Sequence, residues 1–310
     1  MRKLLILSDC GLNVPYLTDD FDVVALPTEA DSAQRLREIA DAEVVIGEPS
    51  LEELAAAKRL KWVQMTWAGA DRYLHGGFPK DILLTTASGA FGETIAEHAL
   101  AMLFSLCRRL PAYQREGKWR DLGCEKRITG AVALIFGCGN IGTEIAKRLQ
   151  ALGVHTVGVC RRARQPRAHF EALTTLDCAA AFLPEADFLL CALPSNAATE
   201  RYFDEERLSL CKDDAVLINV GRGSLIDRNA LIKRVNEGKL FGVGLDVTEP
   251  EPLPQEDPLW TMPNVIITPH VAGVGFGHLP ETEARIWSII HENLHNYTEG
   301  KPMRNLVNVP

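Results

Sequence analysis

The sequence predicts an α/β protein built from two doubly wound parallel-sheet domains. Short apolar runs alternate with segments of helical pattern along most of the chain, as in βαβ units. Near the middle, a glycine-rich turn separates an apolar strand from a helix, G-x-G-x-x-G at 137–142. The length of 310 residues suits two domains at roughly 150 residues each.

The first strand candidates are Leu4–Leu7, Val23–Leu26, Val44–Ile46, Trp62–Met65 and Ile82–Thr85. Between them, Asp31–Asp41 and Leu51–Lys58 are rich in Ala, Leu, Glu and Arg and read as helices. A long helix is expected over Glu93–Leu110, because Ile95, Ala99, Met102, Leu103, Leu106 and Leu110 recur at helical spacing. Pro111 is expected to stop it, and polar Gln114–Arg127 reads as a linker or surface loop. A second series follows, with strands at Ala131–Phe136, Thr156–Val159, Phe188–Ala192, Ala215–Val220, Gly242–Val247 and Val265–Thr268. Ile141–Leu152 and Asp227–Glu237 are helical between them. A last helix, Glu281–Glu299, is closed by Gly300 and Pro302.

Charge narrows the partners. There are 33 Lys and Arg against 41 Asp and Glu, a net −8, which argues against nucleic acid or an anionic membrane. No stretch reaches the ~20 apolar residues a membrane span needs. The apolar run Leu4–Leu7 is too short for a signal peptide, so a cytoplasmic location is expected. None of the eight cysteines forms a C-x-x-C pair, which argues against a zinc ribbon or thioredoxin motif. Cys107 and Cys191, in apolar runs, read as small buried hydrophobes in a reducing compartment. His291 and His295 stand four apart on the last helix without an evident third ligand, so no metal is expected.

The glycine turn carries chemistry. It reads Gly137-Cys138-Gly139-Asn140-Ile141-Gly142 between strand and helix. Gly137 permits the tight turn, Gly139 lets backbone approach a pyrophosphate, and Gly142 lets helix pack on strand. The helix N-terminus then offers free N–H groups and a positive dipole end to the phosphates. The next strand ends at Cys160, where an NAD-binding fold usually places an acid for the ribose 2′-OH. Arg161, Arg162, Arg164 and Arg167 follow instead. With no carboxylate to repel a 2′-phosphate, and guanidinium forks suited to its oxygens, NADP is expected over NAD, with NAD as the other possibility.

Three more segments end apolar strands, where ligand sites of such sheets lie: I-N-V-G-R-G-S-L-I-D (218–227), G-L-D-V-T-E-P-E-P-L-P (244–254) and I-I-T-P-H-V-A-G (266–273). They supply an arginine, acids and a histidine. Histidine titrates nearest neutrality and suits proton transfer. A neighbouring glutamate favours the imidazolium, and arginine grips a carboxylate bidentately. On the residues alone, Glu249 and Glu251 are equal candidates for that glutamate.

Together with W-A-G-A-D-R-Y-L (67–74), I-A-E-H-A-L (95–100) and L-P-S-N-A-A-T (193–199), these segments resemble the D-isomer-specific 2-hydroxyacid dehydrogenases over most of the chain. P-L-W-x-x-P-x-V-x-I-T-P-H-V-A (258–272) and C-R-R-A-R-Q-P-R are most similar to the glyoxylate/hydroxypyruvate reductase branch. The resemblance implies a flavodoxin-like substrate domain, 1–99 completed by 279–310, and a Rossmann cofactor domain, 100–278. The site would lie in the cleft. It implies that Arg222 binds the substrate carboxylate and carbonyl, that Glu251 hydrogen-bonds the catalytic histidine, and that His270 is the general acid/base. The backbone of Ala68, Gly69 and Ala70 would donate to the carboxylate. Besides the glycine loop and arginines, cofactor contacts would come from Leu193, Pro194, Thr199, Val220, Gly221 and Asp246, the last near the nicotinamide carboxamide. Gly273 belongs to the same set, but it stands where relatives place a serine, which removes one hydroxyl.

Trp67 stands where many relatives carry a small residue, either narrowing the substrate pocket or simply packing. Glu97 and His98 would pack between domains or copies, and the loop around Trp119 resembles one that can reach across a homodimer, with packing within the monomer as the equal alternative. The implied activity is NADPH-dependent reduction of a small 2-keto acid to the 2-hydroxy acid, with glyoxylate or hydroxypyruvate first. Two other readings share these residues: an NAD-linked dehydrogenase of another 2-hydroxy acid, and a dinucleotide-sensing, co-repressor-like binding protein.

Overall fold

The computed structural model describes residues 2–8, 17, 19–27, 29–74, 76–162, 167–274, 276 and 278–309. Cys10 and Arg164 therefore lie outside the described residues. Two compact units form, Met1–Phe91 with Val274–Pro310, and Gly92–Gly273.

The first unit opens with strands β1 (Arg2–Leu7) and β2 (Phe21–Leu26), helix α1 (Ser32–Ile39), β3 (Val44–Gly47), α2 (Leu51–Ala56), β4 (Trp62–Gln64), the single turn α3 (Asp71–Leu74) and β5 (Leu83–Thr85). The strands pair in parallel in the order β2-β1-β3-β4-β5. That is the flavodoxin-like order. Leu5, Val45 and Val63 are fully buried, because a parallel sheet covered on both faces has no solvent side. Asp31 caps α1 by accepting from the Gln34 N–H, and Ser50 with Glu53 forms a capping box on α2.

The second unit runs α4 (Gly92–Cys107), α5 (Leu110–Glu116), β6 (Val132–Phe136), α6 (Asn140–Ala151), β7 (His155–Val159), β8 (Ala172–Thr174), β9 (Phe188–Cys191), α7 (Glu205–Leu210), β10 (Val216–Asn219), α8 (Arg228–Asn236), β11 (Gly242–Leu245) and β12 (Val265–Ile267). Its strands, all parallel, lie in the order β12-β11-β10-β9-β6-β7-β8. Strand order reverses between β6 and β9, and ligands of doubly wound sheets bind at the carboxyl ends beside such a switch. The chain then returns to the first unit as α9 (Pro280–Thr298), which ends at a left-handed Gly300, φ 67°.

Three expectations between Cys107 and Glu116 are corrected. The helix expected to run to Leu110 ends at Cys107, where Arg109 takes a left-handed backbone, φ 56°. The Arg109 guanidinium donates to the carbonyls of Leu122 and Cys124. Pro111 does not stop a helix but sits in the first turn of α5, where its missing N–H would be unpaired anyway. The expected loop from Gln114 accordingly begins three residues inside α5. The units divide at Phe91/Gly92 and Gly273/Val274 rather than at 99/100 and 278/279. The continuous helix α4 lies wholly in the second unit. The strand β8 and helices α3 and α7 are too short to show a period in the sequence. Among the described residues, no helix is long and apolar enough to cross a membrane.

Candidate active site

The glycine turn follows β6 and opens α6. Gly137 has φ 105°, and a Cβ there would lie 2.7 Å from the Ala192 carbonyl oxygen. A Cβ on Gly142 would lie 1.7 Å from the Gly137 oxygen. Chain packing alone therefore demands both glycines. Gly139 differs: a Cβ there meets no protein atom within 4 Å. Open space in front of a glycine, at the N-terminus of a 12-residue helix with no side-chain cap, fits a pyrophosphate approaching the backbone. Asn140 and Ile141 begin that helix.

The Cys138 side chain is buried, and burial, with Cys160 beside it, pushes its thiol up to about 12. A thiol held that high has little thiolate and reacts slowly. Cys160 is buried at the end of β7, and Cys107 and Cys191 are fully buried, as the sequence suggests. Arg161 and Arg162 are exposed just beyond Cys160. Arg167 bends back, and its Nη1 donates to the Cys138 carbonyl, so one guanidinium of the cluster touches the glycine turn.

Beyond β9, Thr199 turns its hydroxyl inward to the Pro194 carbonyl at 2.8 Å, next to Leu193, so it organises the local turn. Val220 continues the pairing of β10 by donating its N–H to the Cys191 carbonyl. Gly221 is required by contact, since a Cβ would lie 2.7 Å from the Leu193 oxygen.

Three neighbouring strands, β10, β11 and β12, carry the expected catalytic set at their carboxyl ends. After β10, the buried Asn219 side chain accepts from the Gly221 N–H at 3.0 Å and donates to the Arg222 carbonyl at 2.8 Å. It thereby fixes the loop that carries Arg222, whose Nη1 donates to the Gly221 carbonyl. After β11, Glu251 lies in a loop with two cis X-Pro bonds, and its Oε1 accepts from the Thr248 N–H at 3.0 Å. After β12, His270 Nδ1 lies 3.0 Å from Glu251 Oε2. Glu251, not Glu249, is thus the partner. His270 Nε2 has no protein partner among the described residues, which leaves it open to a reacting oxygen.

The turn around His270 is held by Asp246, which is 2 % exposed. Its Oδ1 accepts from the Thr268 hydroxyl at 2.6 Å and the Val271 N–H at 2.9 Å. Its Oδ2 accepts from the Ala272 N–H at 3.0 Å. The Asp246 carbonyl accepts from the His270 N–H at 2.8 Å. His270 itself has φ 55°, a conformation rare outside glycine. Half-buried Gly273 follows this turn. Both Asp246 oxygens are engaged within the protein, so the turn is a role for Asp246 that the resemblance does not suggest. Glu97 pairs with Arg148 at 3.3 Å on α6. His98, also on α4, places Nε2 3.0 Å from the Thr268 hydroxyl. Asn219, Thr248 and Thr268 were invisible as site residues, because a polar residue near a strand end has no sequence signature of its partner.

In the first unit, Glu48 follows β3 and reaches the segment after β4. Its Oε1 accepts from the N–H groups of Thr66 at 2.8 Å and Trp67 at 3.2 Å, and from the Thr66 hydroxyl at 3.0 Å. Burial pushes the Glu48 carboxyl above the usual carboxylate range, although these donors oppose the shift. The next three N–H groups, of Ala68, Gly69 and Ala70, have no protein acceptor among the described residues. Trp67 is 48 % exposed on the wall of a cavity of about 450 Å³ that Glu48, Gly69 and Arg72 also line.

A dinucleotide turn and an Arg–Glu–His set on one parallel sheet define a nicotinamide-dependent dehydrogenase. The profile of the D-isomer specific 2-hydroxyacid dehydrogenase NAD binding domain matches residues 100–272. A glyoxylate reductase of Korarchaeum cryptofilum is 30% identical over 99% of this chain and 86% of its own length. A D-isomer specific 2-hydroxyacid dehydrogenase family protein from Aeromonas salmonicida has a solved structure with TM-score 0.87 and 31% identity, covering 100% of this chain and 99% of that one. An NADPH-dependent glyoxylate/hydroxypyruvate reductase from Sinorhizobium meliloti, solved with NADP and sulfate, shares the fold at TM-score 0.83 and 24% identity, over 99% of this chain and 98% of that one. The chain belongs to the D-isomer specific 2-hydroxyacid dehydrogenase family and is an oxidoreductase with an NAD-type binding domain.

Proposed function

We propose that the protein reduces a small 2-keto acid to the 2-hydroxy acid with NADPH, glyoxylate and hydroxypyruvate being the first substrates to test. The observation that carries this is the His270–Glu251 pair, Nδ1 to Oε2 at 3.0 Å, with Nε2 unpaired on the protein side. The bound nicotinamide supplies the hydride. His270 then delivers a proton from Nε2 to the oxygen on which negative charge develops, and takes it back in the reverse direction. Glu251, at 3.0 Å from Nδ1, orients the ring. Arg222 binds the substrate carboxylate, as a guanidinium fork suits its two oxygens. The unpaired N–H groups of Ala68, Gly69 and Ala70 suit the same group. Gly137 to Gly142 receive the pyrophosphate, and Arg161, Arg162 and Arg164 favour a 2′-phosphate, with Arg167 adding a fourth guanidinium. A homodimer is part of the proposal: Leu110 on α5 and Trp119 beyond it are 55 % and 107 % exposed, and light scattering in solution reads the mass directly.

The test is oxidation of NADPH and NADH across a panel of 2-keto acids. Turnover with glyoxylate or hydroxypyruvate, and higher kcat/KM with NADPH, are expected. A clear NADH preference overturns the NADPH assignment. Cofactor binding without turnover of any keto acid overturns the enzymatic reading in favour of a dinucleotide-sensing protein.

A further inference from the structure

The geometry points to His98 as a positioning residue for the His270 turn, acting through Thr268 and Asp246; the assignment rests on the reductase reading of that turn. Thr268 Oγ1 lies 2.6 Å from Asp246 Oδ1 and 3.0 Å from His98 Nε2. A hydroxyl has one proton to give. Since it goes to the carboxylate, His98 must donate Nε2–H to the hydroxyl oxygen. That bond fixes the direction of the threonine proton. It completes a chain from α4 to the residue that shapes the active-site turn: His98 to Thr268, Thr268 to Asp246, and Asp246 to the N–H groups of Val271 and Ala272.

The approach that makes this chain possible is built into the sequence. Strand β11 reads G-V-G-L. A Cβ on Gly242 would lie 2.9 Å from Leu106 Cδ2, and one on Gly244 would lie 2.7 Å from Ile218 Cδ1 and 3.0 Å from Met102 Sδ. Two strand positions without side chains therefore let α4 lie close on β11. His98, one turn ahead of Met102 on α4, then comes within 3.6 Å of Asp246 Oδ1. A histidine used only for packing has no need of an N–H aimed at a hydroxyl that is already committed to a buried carboxylate. His270, with its unusual backbone, needs its turn held from behind, because displacing a reacting group by ~1 Å costs rate rather than affinity.

The test compares His98→Phe, which keeps a ring but loses the donor, with His98→Gln, whose amide N–H reaches about where Nε2 stands. His98→Phe is expected to lower kcat about tenfold. The Kd for NADPH, read by fluorescence, should stay within about twofold of the parent. His98→Gln should restore most of the loss. Thr268→Val should match His98→Phe, and the double variant should lose no more than either, as members of one chain do. If His98→Phe fails to fold, Thr268→Val against Thr268→Ser makes the same comparison. His98→Phe turning over like the parent, glutamine giving no rescue, or losses that multiply would each overturn the assignment. Side-chain nitrogen shifts of His270, identified by their loss in His270→Gln, give a readout without turnover. If the parent reduces no keto acid, the reductase reading fails, while movement of those shifts in His98→Phe and their return in His98→Gln still support the positioning role.

Discussion

Glu48 and Asp246 solve one problem in two ways. Each is a carboxylate that follows one strand and holds the loop after the neighbouring strand, β3 to β4 in the first unit and β11 to β12 in the second. Each accepts from a threonine hydroxyl and two consecutive backbone N–H groups, Thr66, Thr66 and Trp67 in one case, Thr268, Val271 and Ala272 in the other. They differ in what the loop then presents. Asp246 spreads its donors over both oxygens and holds a left-handed His270, so a side chain is delivered. Glu48 gathers both backbone donors on Oε1, and its loop delivers backbone N–H groups at Ala68 to Ala70. On the proposed reading, the same local chemistry serves proton transfer in one unit and anion binding in the other.

If that division holds, damage on the Asp246 side acts on kcat and damage on the Glu48 side acts on KM. The largest effect is at the delivered side chain: His270→Ala should cut turnover by roughly 10²–10⁴ while NADPH still binds. Near-parental turnover would remove His270 from the mechanism. Asp246→Ala comes next. It leaves two backbone N–H groups and a hydroxyl without their acceptor, a destabilisation of about 1–3 kcal/mol. It should also cost about 10² in kcat through the displaced turn. Denaturant unfolding and steady-state kinetics read the two losses. Glu48→Ala is milder: KM for the keto acid should rise about tenfold with kcat nearly kept, as for loss of uniform binding. A fall in kcat at constant KM would break the comparison.

The fold was largely legible because two periods, apolar runs and helical stripes, alternate so regularly, and because Gly137, Gly139 and Gly142 mark one turn. Arg222 and His270 stood out as candidates by the chemistry they offer at strand ends, and for His270 the order of family motifs was needed to prefer a catalytic over a structural role. Choosing Glu251 over Glu249 needed the resemblance, since both sit in one proline-rich loop and only the fold brings Oε2 to His270. Glu48, Asn219, Thr268 and His98 stayed hidden for a common reason. Each works through a hydrogen-bond partner outside its own strand or helix, from 3 residues away for Asn219 and Arg222 to 170 for His98 and Thr268, and no periodicity records such pairs. The end of α4 was misjudged because Leu110 continues the helical spacing, while a left-handed Arg109 breaks the backbone.

The smallest expected effect isolates the charge of Glu48. Burial raises its folded pKa above the ordinary 4.5, against the opposing pull of Thr66, Trp67 and Arg72. The native state therefore binds this proton more readily than the unfolded chain does. Stability from this group is greatest below the unfolded pKa and falls as pH rises from about 4.5 through the raised folded value, above which the full loss persists. Glu48→Gln keeps an amide oxygen for the N–H groups of Thr66 and Trp67 and never ionises. Its melting temperature should match the parent near pH 4 and exceed it by about a degree or two at neutral pH. A parent that is the more stable at neutral pH would show that the ionised carboxylate is worth more to the loop than its burial costs, and the contrast with Asp246 would shrink to which group each loop presents.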